Sequence, residues 1–274
     1  MSSFFFIVAT LAYFVGSVGY FFYIVRNSNS VARAAYIALV IGFFFHTIGI
    51  YMLIKYLGYL PVTSIPQMLS IFAWTIVLAY LIFQWRFNIK ILGTFVSPLA
   101  MFFMLLSPAI PLRMVHQIPI LKSIWVVVHI SLIFLSNALF AIAFCAGIMY
   151  LIQEKQIKKK TFGVLFRRLP SLEKLDKTNY ICLLIGFPLL TGGLITGFIY
   201  ASHVWHGYWH WDPKEIFALI TWTIYAVLFH ERLAVGWRGR KAAIMAIVGF
   251  IAVVVTFLGV NLFLKGHHFY FRVS

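Results

Sequence analysis

Trp205, Trp209 and Trp211 stand within seven residues of one another, interleaved with His203, His206 and His210 and closed by Asp212-Pro213-Lys214-Glu215. Two chemistries can use such a stretch. Indole rings offer wide apolar faces with a single N–H donor, which suits gripping a flat apolar ligand. Imidazoles offer a nitrogen lone pair to a metal. Were the segment one helix, His203, His206 and His210 would share a face, and three imidazoles form a zinc-binding set. Pro213 argues against that helix, because it biases Asp212 toward extended backbone. The nearby carboxylates, Asp212 and Glu215, already have a use. Asp as N-cap, Pro at the first helical position and Glu three residues after the cap make a helix-start signal. That signal, with the general enrichment of Trp at membrane interfaces, accounts for the DPKE stretch but not for three tryptophans in so short a segment.

The elements that position this segment are membrane helices. The 274-residue chain is 63% hydrophobic and 10% charged, where a soluble domain is about a quarter charged. Apolar runs of about 20 residues, the length that crosses a bilayer, recur at 4–25, 34–54, 68–85, 91–108, 123–152, 180–201, 214–231 and 242–264. The expected fold is all-α, a single membrane domain over 1–274 with about eight transmembrane helices and a tryptophan-rich loop at 202–214. The fifth run is long enough to project from the bilayer or tilt within it. One sizeable hydrophilic connection is expected, at 153–179. The first run is followed by Arg26 and Arg33 without a small-residue cleavage motif, so it reads as a span rather than a cleaved leader. Cys145 and Cys182 lie in or beside apolar runs without CxxC spacing, and read as small buried hydrophobes rather than a redox dithiol.

The net charge of +16 does not point to nucleic acid, because the basic residues sit in short loops between spans. That is the pattern of topology signals and anionic-lipid contacts. Eight spans place both termini on one side. That side holds Lys55, Arg113, Lys122, Lys214, Lys265 and Arg272, six of the twenty-two basic residues. The other sixteen lie opposite: Arg26, Arg33, Arg86, Lys90, eight within 153–179, and Arg232, Arg238, Arg240 and Lys241. The positive-inside rule makes the richer side cytoplasmic. The termini and the tryptophan loop then face outward from a cytoplasmic (inner) membrane.

Histidine inside a span is a functional candidate by default. His129 lies a turn or two inside the outer end of span five, and His267 and His268 follow span eight. These distant segments return to the same face as the tryptophan loop. Two neutral imidazoles on either side of an aromatic-lined gap suit a flat iron macrocycle. His46, in the outer half of span two, and His116, in the loop before span five, read more simply as hydrogen-bonded to neighbours. His203, His206 and His210 fit an interfacial role. His230 stands apart: eighteen residues from Asp212, or roughly 27 Å of helix, place it near the opposite face.

At these residues the chain resembles the CcsA (ResC) family, the heme-handling proteins of the two-component system II pathway of cytochrome c biogenesis. WHGYWHWDPKEIFALITWTIYAVLFHERL is similar to the family's tryptophan-rich WWD signature. TGFIYASHVW resembles the segment leading into it, and LGVNLFLKGHHFY the family's ending, Gly-x-His-x-Tyr after the last span. WVVVHISLIFLSNALFAIAF and GYLPVTSIPQMLSIFAW resemble its outer-histidine span and its second outer loop.

The resemblance implies that His129 and His268 are axial ligands of an outward heme b. Trp205, Tyr208, Trp209, Trp211 and Asp212 would form the platform under it. His230 would ligate heme in transit, with a counterpart from a CcsB/ResB-like membrane subunit. Together the pair would export heme and attach it to CxxCH cysteines of apocytochrome c, a thioether-forming synthase only in company. The thiols come from the substrate, so the chain needs no cysteine nucleophile. Some positions depart from the family pattern. His206 replaces a usual Gly, His210 a small residue and Tyr200 a common Trp, and Ser-Ile-Pro-Gln occupies 64–67 where an acidic, Asn-bearing stretch is expected. The extra histidines are alternative iron ligands, and His267 rivals His268. Two other functions compete: a HemX-like protein that binds heme to regulate or deliver it without ligation, and a transporter or scaffold with structural histidines.

Overall fold

In the computed structural model the described residues are 2–109, 123–205, 209 and 211–260. They form α1 (Ser2–Arg26), α2 (Asn29–Leu57), α3 (Ile65–Phe87), α4 (Gly93–Ala109), α5 (Ile124–Lys158), the short α6 (Val164–Arg168), α7 (Leu172–Trp205), α8 (Pro213–His230) and α9 (Arg240–Val254). Counted with the 3-10 turn Lys90–Leu92 before α4 and the π turn Val255–Gly259 after α9, eight of these are long and apolar enough to cross a membrane, as the apolar runs predict. The protein is a multi-pass membrane protein. Its outer surface agrees: Phe21 and Phe44 are 65% and 60% exposed, as large apolar side chains facing lipid would be.

The departure from expectation is at 153–179. Instead of a long hydrophilic connection, α5 runs on to Lys158 and α7 begins at Leu172. The extension is rich in good helix formers (Gln153, Glu154, Lys155, Gln156), and Glu154 pairs with Lys158 one turn on at 2.7 Å. Glu154 also takes Arg240 at 2.9 Å, tying the end of α5 to the start of α9.

Helices α5 and α7 pack antiparallel along a glycine seam. A Cβ at Gly186 would fall 2.7 Å from the Phe140 ring, one at Gly193 2.6 Å from Ile133 and one at Gly197 2.7 Å from the His129 ring. Spacings of seven and four residues keep these three glycines on one face of α7, and the same spacings run in reverse along α5. Small residues are what let membrane helices approach this closely. Ser136 Oγ donates to Gly186 O at 2.8 Å in the same seam. Helix α9 packs on α5, and α8 lies against α7 and α9. The other half of the bundle is the α1–α2 hairpin with α3 and α4.

His46 is fully buried in that half. Its Nδ1 meets Tyr13 Oη at 3.2 Å and its Nε2 meets Ser70 Oγ at 2.9 Å, so it joins α1, α2 and α3. The simpler expectation, an imidazole hydrogen-bonded to neighbouring helices, holds there. Cys145 and Cys182 are both buried among apolar groups, as expected of small hydrophobes.

Candidate functional site

The candidate residues fall at two levels separated by the length of α8. The first is the tryptophan end, where α7 runs out and α8 begins. Asp212 starts α8 as the sequence predicts. Its Oδ1 accepts from Lys214 N at 2.8 Å, and Glu215 Oε2 accepts from Asp212 N at 3.2 Å, a reciprocal capping box with Pro213 at the first turn. Such a cap stabilises a helix by about 1 kcal/mol. Here it also fixes the chain's direction into the tryptophan segment, since Asp212 is 2% exposed and extended.

Immediately before it, Trp211 has φ +56°. The left-handed region costs an L-residue roughly 1–2 kcal/mol, and the side chain so held is 75% exposed. Strain spent on pointing a large aromatic outward marks a candidate binding surface. Trp209 meets Trp211 edge to face, centroids 5.6 Å apart at 89°, and packs on Phe198 of α7 at 5.7 Å. Trp209 Nε1 is buried without a hydrogen-bond partner among the described residues.

His129 arrives from α5 at the same level. It is half-buried, and its Nδ1 lies 2.7 Å from Gly193 O. A carbonyl oxygen only accepts, so the proton sits on Nδ1 and the lone pair on Nε2, the form in which imidazole ligates a metal. The ring rests against Gly197, and the next residue, Phe198, carries Trp209. One stretch of α7 therefore links His129 to the tryptophan segment. The metal-ready imidazole, the outward indole and the orphaned indole N–H together fit a flat iron macrocycle with polar substituents at its edge.

The other candidates are placed less fully. His203 is exposed and its Nδ1 lies 2.8 Å from Ile199 O in its own helix. Helix α7 ends at Trp205 and Trp209 is not helical; the zinc-set expectation turns on His206 and His210, which lie outside the described residues. Trp205 closes α7, its side chain lying outside the described set. His268, its rival His267, and Tyr208, His206, His210 and His116 lie outside the described residues.

The second level is the basic end. His230 is the last residue of α8 and is exposed. It forms no hydrogen bond among the described residues. A π-helical turn, Glu231–Val235, follows directly and ends at Gly236 with φ +80°. The eighteen residues of α8 separate the two levels by roughly 27 Å.

Sequence reasoning missed the partners that define these sites. Gly193, Gly197 and Phe198 have no place in the sequence reading, although the four-residue spacing of the two glycines opposite a histidine-bearing span is a usable signal. The strain at Trp211 has no sequence mark, since nothing in Trp-Asp-Pro requires a positive φ at the Trp.

A model of the family described as cytochrome C assembly protein matches residues 62–268, from the loop before α3 to His268. The chain is 34% identical over 232 residues to the cytochrome c biogenesis protein CcsA of Guillardia theta, covering 78% of this chain and 77% of that protein. It is 33% identical over 261 residues to CcsA of Microcystis aeruginosa, covering 78% and 80%. Against CcsA of Trieres chinensis it is 30% identical over 281 residues, covering 91% and 89%.

Proposed function

The chain belongs to the cytochrome c assembly protein family, through its CcsA members, and from that premise we propose that it binds heme and presents it at the tryptophan end for attachment to apocytochrome c. The observation that carries this reading is His129. Gly193 O, at 2.7 Å, holds its proton on Nδ1, which puts the ring's lone pair on Nε2, and the ring rests against Gly197, one residue along α7 from the Phe198 that packs on Trp209.

In this reading heme b is the substrate. His129 and His268 bind its iron from the two faces, and Trp205, Tyr208, Trp209, Trp211 and Asp212 form the platform that sets its plane. Attachment adds each CxxCH thiol across a heme vinyl group: sulfur bonds one vinyl carbon, the thiol hydrogen goes to the other, and no oxidant is consumed. The chain's contribution is to hold the macrocycle edge-outward and to keep its position fixed while the peptide arrives. A CcsB/ResB-like membrane subunit completes the synthase, and His230 ligates heme on its way from the basic end, so that the same protein exports its substrate.

The test is to co-express the chain with such a subunit and an apocytochrome in a host whose own maturation genes are deleted. Covalent heme on the cytochrome, with a Soret band on the purified complex, is the expected result. A Soret band with no covalent product would reduce the protein to a carrier that delivers or senses heme. Absence of the Soret band would sink both ideas.

The sixteen-to-six asymmetry of basic residues supports an orientation in the cytoplasmic (inner) membrane, with the tryptophan end and both termini on the periplasmic side. Reporter fusions at Ser274 and within 158–160 should then report opposite sides, the latter cytoplasmic. A cytoplasmic Ser274 would invert the direction of transport proposed here.

A further inference from the structure

Arg232 lies two residues beyond His230, yet it is 7% exposed in its side chain and fully engaged. Its Nη1 donates to Asp176 Oδ1 at 2.8 Å and its Nη2 to Asp176 Oδ2 at 2.5 Å, a two-pronged pair with α7. Nη1 also donates to Trp237 O at 2.9 Å, and the guanidinium lies 5.2 Å over the Tyr180 ring. Asp176 Oδ1 accepts a third bond, from Gly239 N at 2.7 Å. Trp237 N in turn donates to Glu231 O at 2.9 Å. One carboxylate of α7 therefore holds the π turn, the Gly236–Gly239 loop and the start of α9 together.

Charge pairs this buried do not stabilise a fold better than apolar contacts of the same shape. A planar fork bound to a carboxylate does supply fixed direction. What it directs is the end of α8. The inward face of α8 is marked by Thr221, Tyr225 and Leu228, and the outward face by Leu219, Ile220, Val227 and His230. Helix α8 is the least buried of the eight spans, at 17%, so packing along its length restrains its rotation weakly. Arg232, two residues on and inside the π turn, lies roughly half a turn round the helix from His230, on the side where α7 lies. π turns of this kind recur at functional sites.

We infer that the Asp176–Arg232 pair is a positioning device for His230. It fixes the rotation of the last turn of α8, so that the imidazole faces out of the bundle, toward a membrane helix of the partner subunit. This rests on the reading of His230 as a ligand of heme in transit. The same pair anchors the turn at the basic end where heme enters.

The test uses the complex with its partner subunit, carrying His129→Ala and His268→Ala so that bound heme reports the basic-end level. Asp176→Asn and Arg232→Gln should each lower that heme about ten-fold, the size of effect expected when a ligand's supporting shell is removed. The residual heme should shift from six-coordinate low-spin to high-spin, and added imidazole should restore the low-spin bands. Arg232→Lys keeps the charge but loses the fork, and should show the same spin shift at normal protein level. The exchange Asp176→Arg with Arg232→Asp should recover part of the low-spin signal. If the single variants fail to accumulate, Arg232→Lys and the exchange decide. Normal low-spin heme in Arg232→Lys, or an exchange that restores protein but not the low-spin bands, would make the pair structural only. His230→Ala in the same background separates two failures. If it empties the site while the pair variants do not, the positioning role is wrong. If it leaves the heme unchanged, the transit reading falls, and the positioning role with it.

Discussion

Alanine at His129 is expected to strip heme from the tryptophan end: at least a ten-fold loss of co-purified heme, about the scale set by disturbing an imidazole's supporting contacts alone, and high-spin bands in what remains. The side chain occupies the seam between α5 and α7, so a control for general loosening is needed. Gly197→Ala supplies it. The added methyl would lie 2.7 Å from the ring's Cε1, too close for any real contact, so it must push the imidazole while leaving it present. Gly197→Ala should therefore reproduce the spin shift with a smaller loss of heme, and His129→Ala with added imidazole should regain low-spin bands. His268→Ala should match His129→Ala. Loss at His267 instead would move the second ligand one residue back. Unchanged heme and an unchanged low-spin spectrum in both His129→Ala and His268→Ala would end the assignment.

The second large effect is expected at His230. Roughly 27 Å of helix separates it from Asp212, so it cannot share an iron with His129. Its removal should block filling of the tryptophan end from inside the cell, with cytochrome c yield falling about ten-fold or more. Heme supplied from outside should restore part of that yield, because the tryptophan-end residues are untouched. His129→Ala should not respond to external heme in this way. Full yield and full heme in His230→Ala would leave it as a residue at a helix end, where a cation is favoured anyway, and would remove the reason for a route through the membrane.

Much of this architecture is legible in the sequence because a bilayer permits so few solutions. Backbone polar groups must be satisfied within each span, so a run of about 20 apolar residues is almost a helix by definition. The start of α8 is equally legible, since Asp212-Pro213-Lys214-Glu215 carries its hydrogen bonds in its spelling. Less legible is where helices continue beyond the apolar run. The extension of α5 past Ile152 depends on Glu154 meeting both Lys158 and Arg240, the second of which is distant in sequence. Arg232 illustrates the deeper limit. Counted along the chain it is one more loop cation that orients the protein, yet it is buried against Asp176, 56 residues earlier. A charge count along the chain bears on orientation and carries no sign of the partner. The same holds for His129, whose type and depth were visible while the carbonyl that fixes its proton was not.

That carbonyl has a consequence for biosynthesis. Gly193 lies 64 residues after His129, and the two sit on helices that insert one after the other. Membrane helices enter the bilayer first and find their neighbours afterwards. A chain still emerging from the ribosome with α5 in place holds His129 before its acceptor has been translated. Only when the glycine face of α7 slides in alongside does the ring acquire its proton position and its fixed tilt. If the tryptophan end holds heme as proposed, the geometry that holds it is thus a late product of synthesis, and a half-made chain offers iron porphyrin only a single unsupported imidazole.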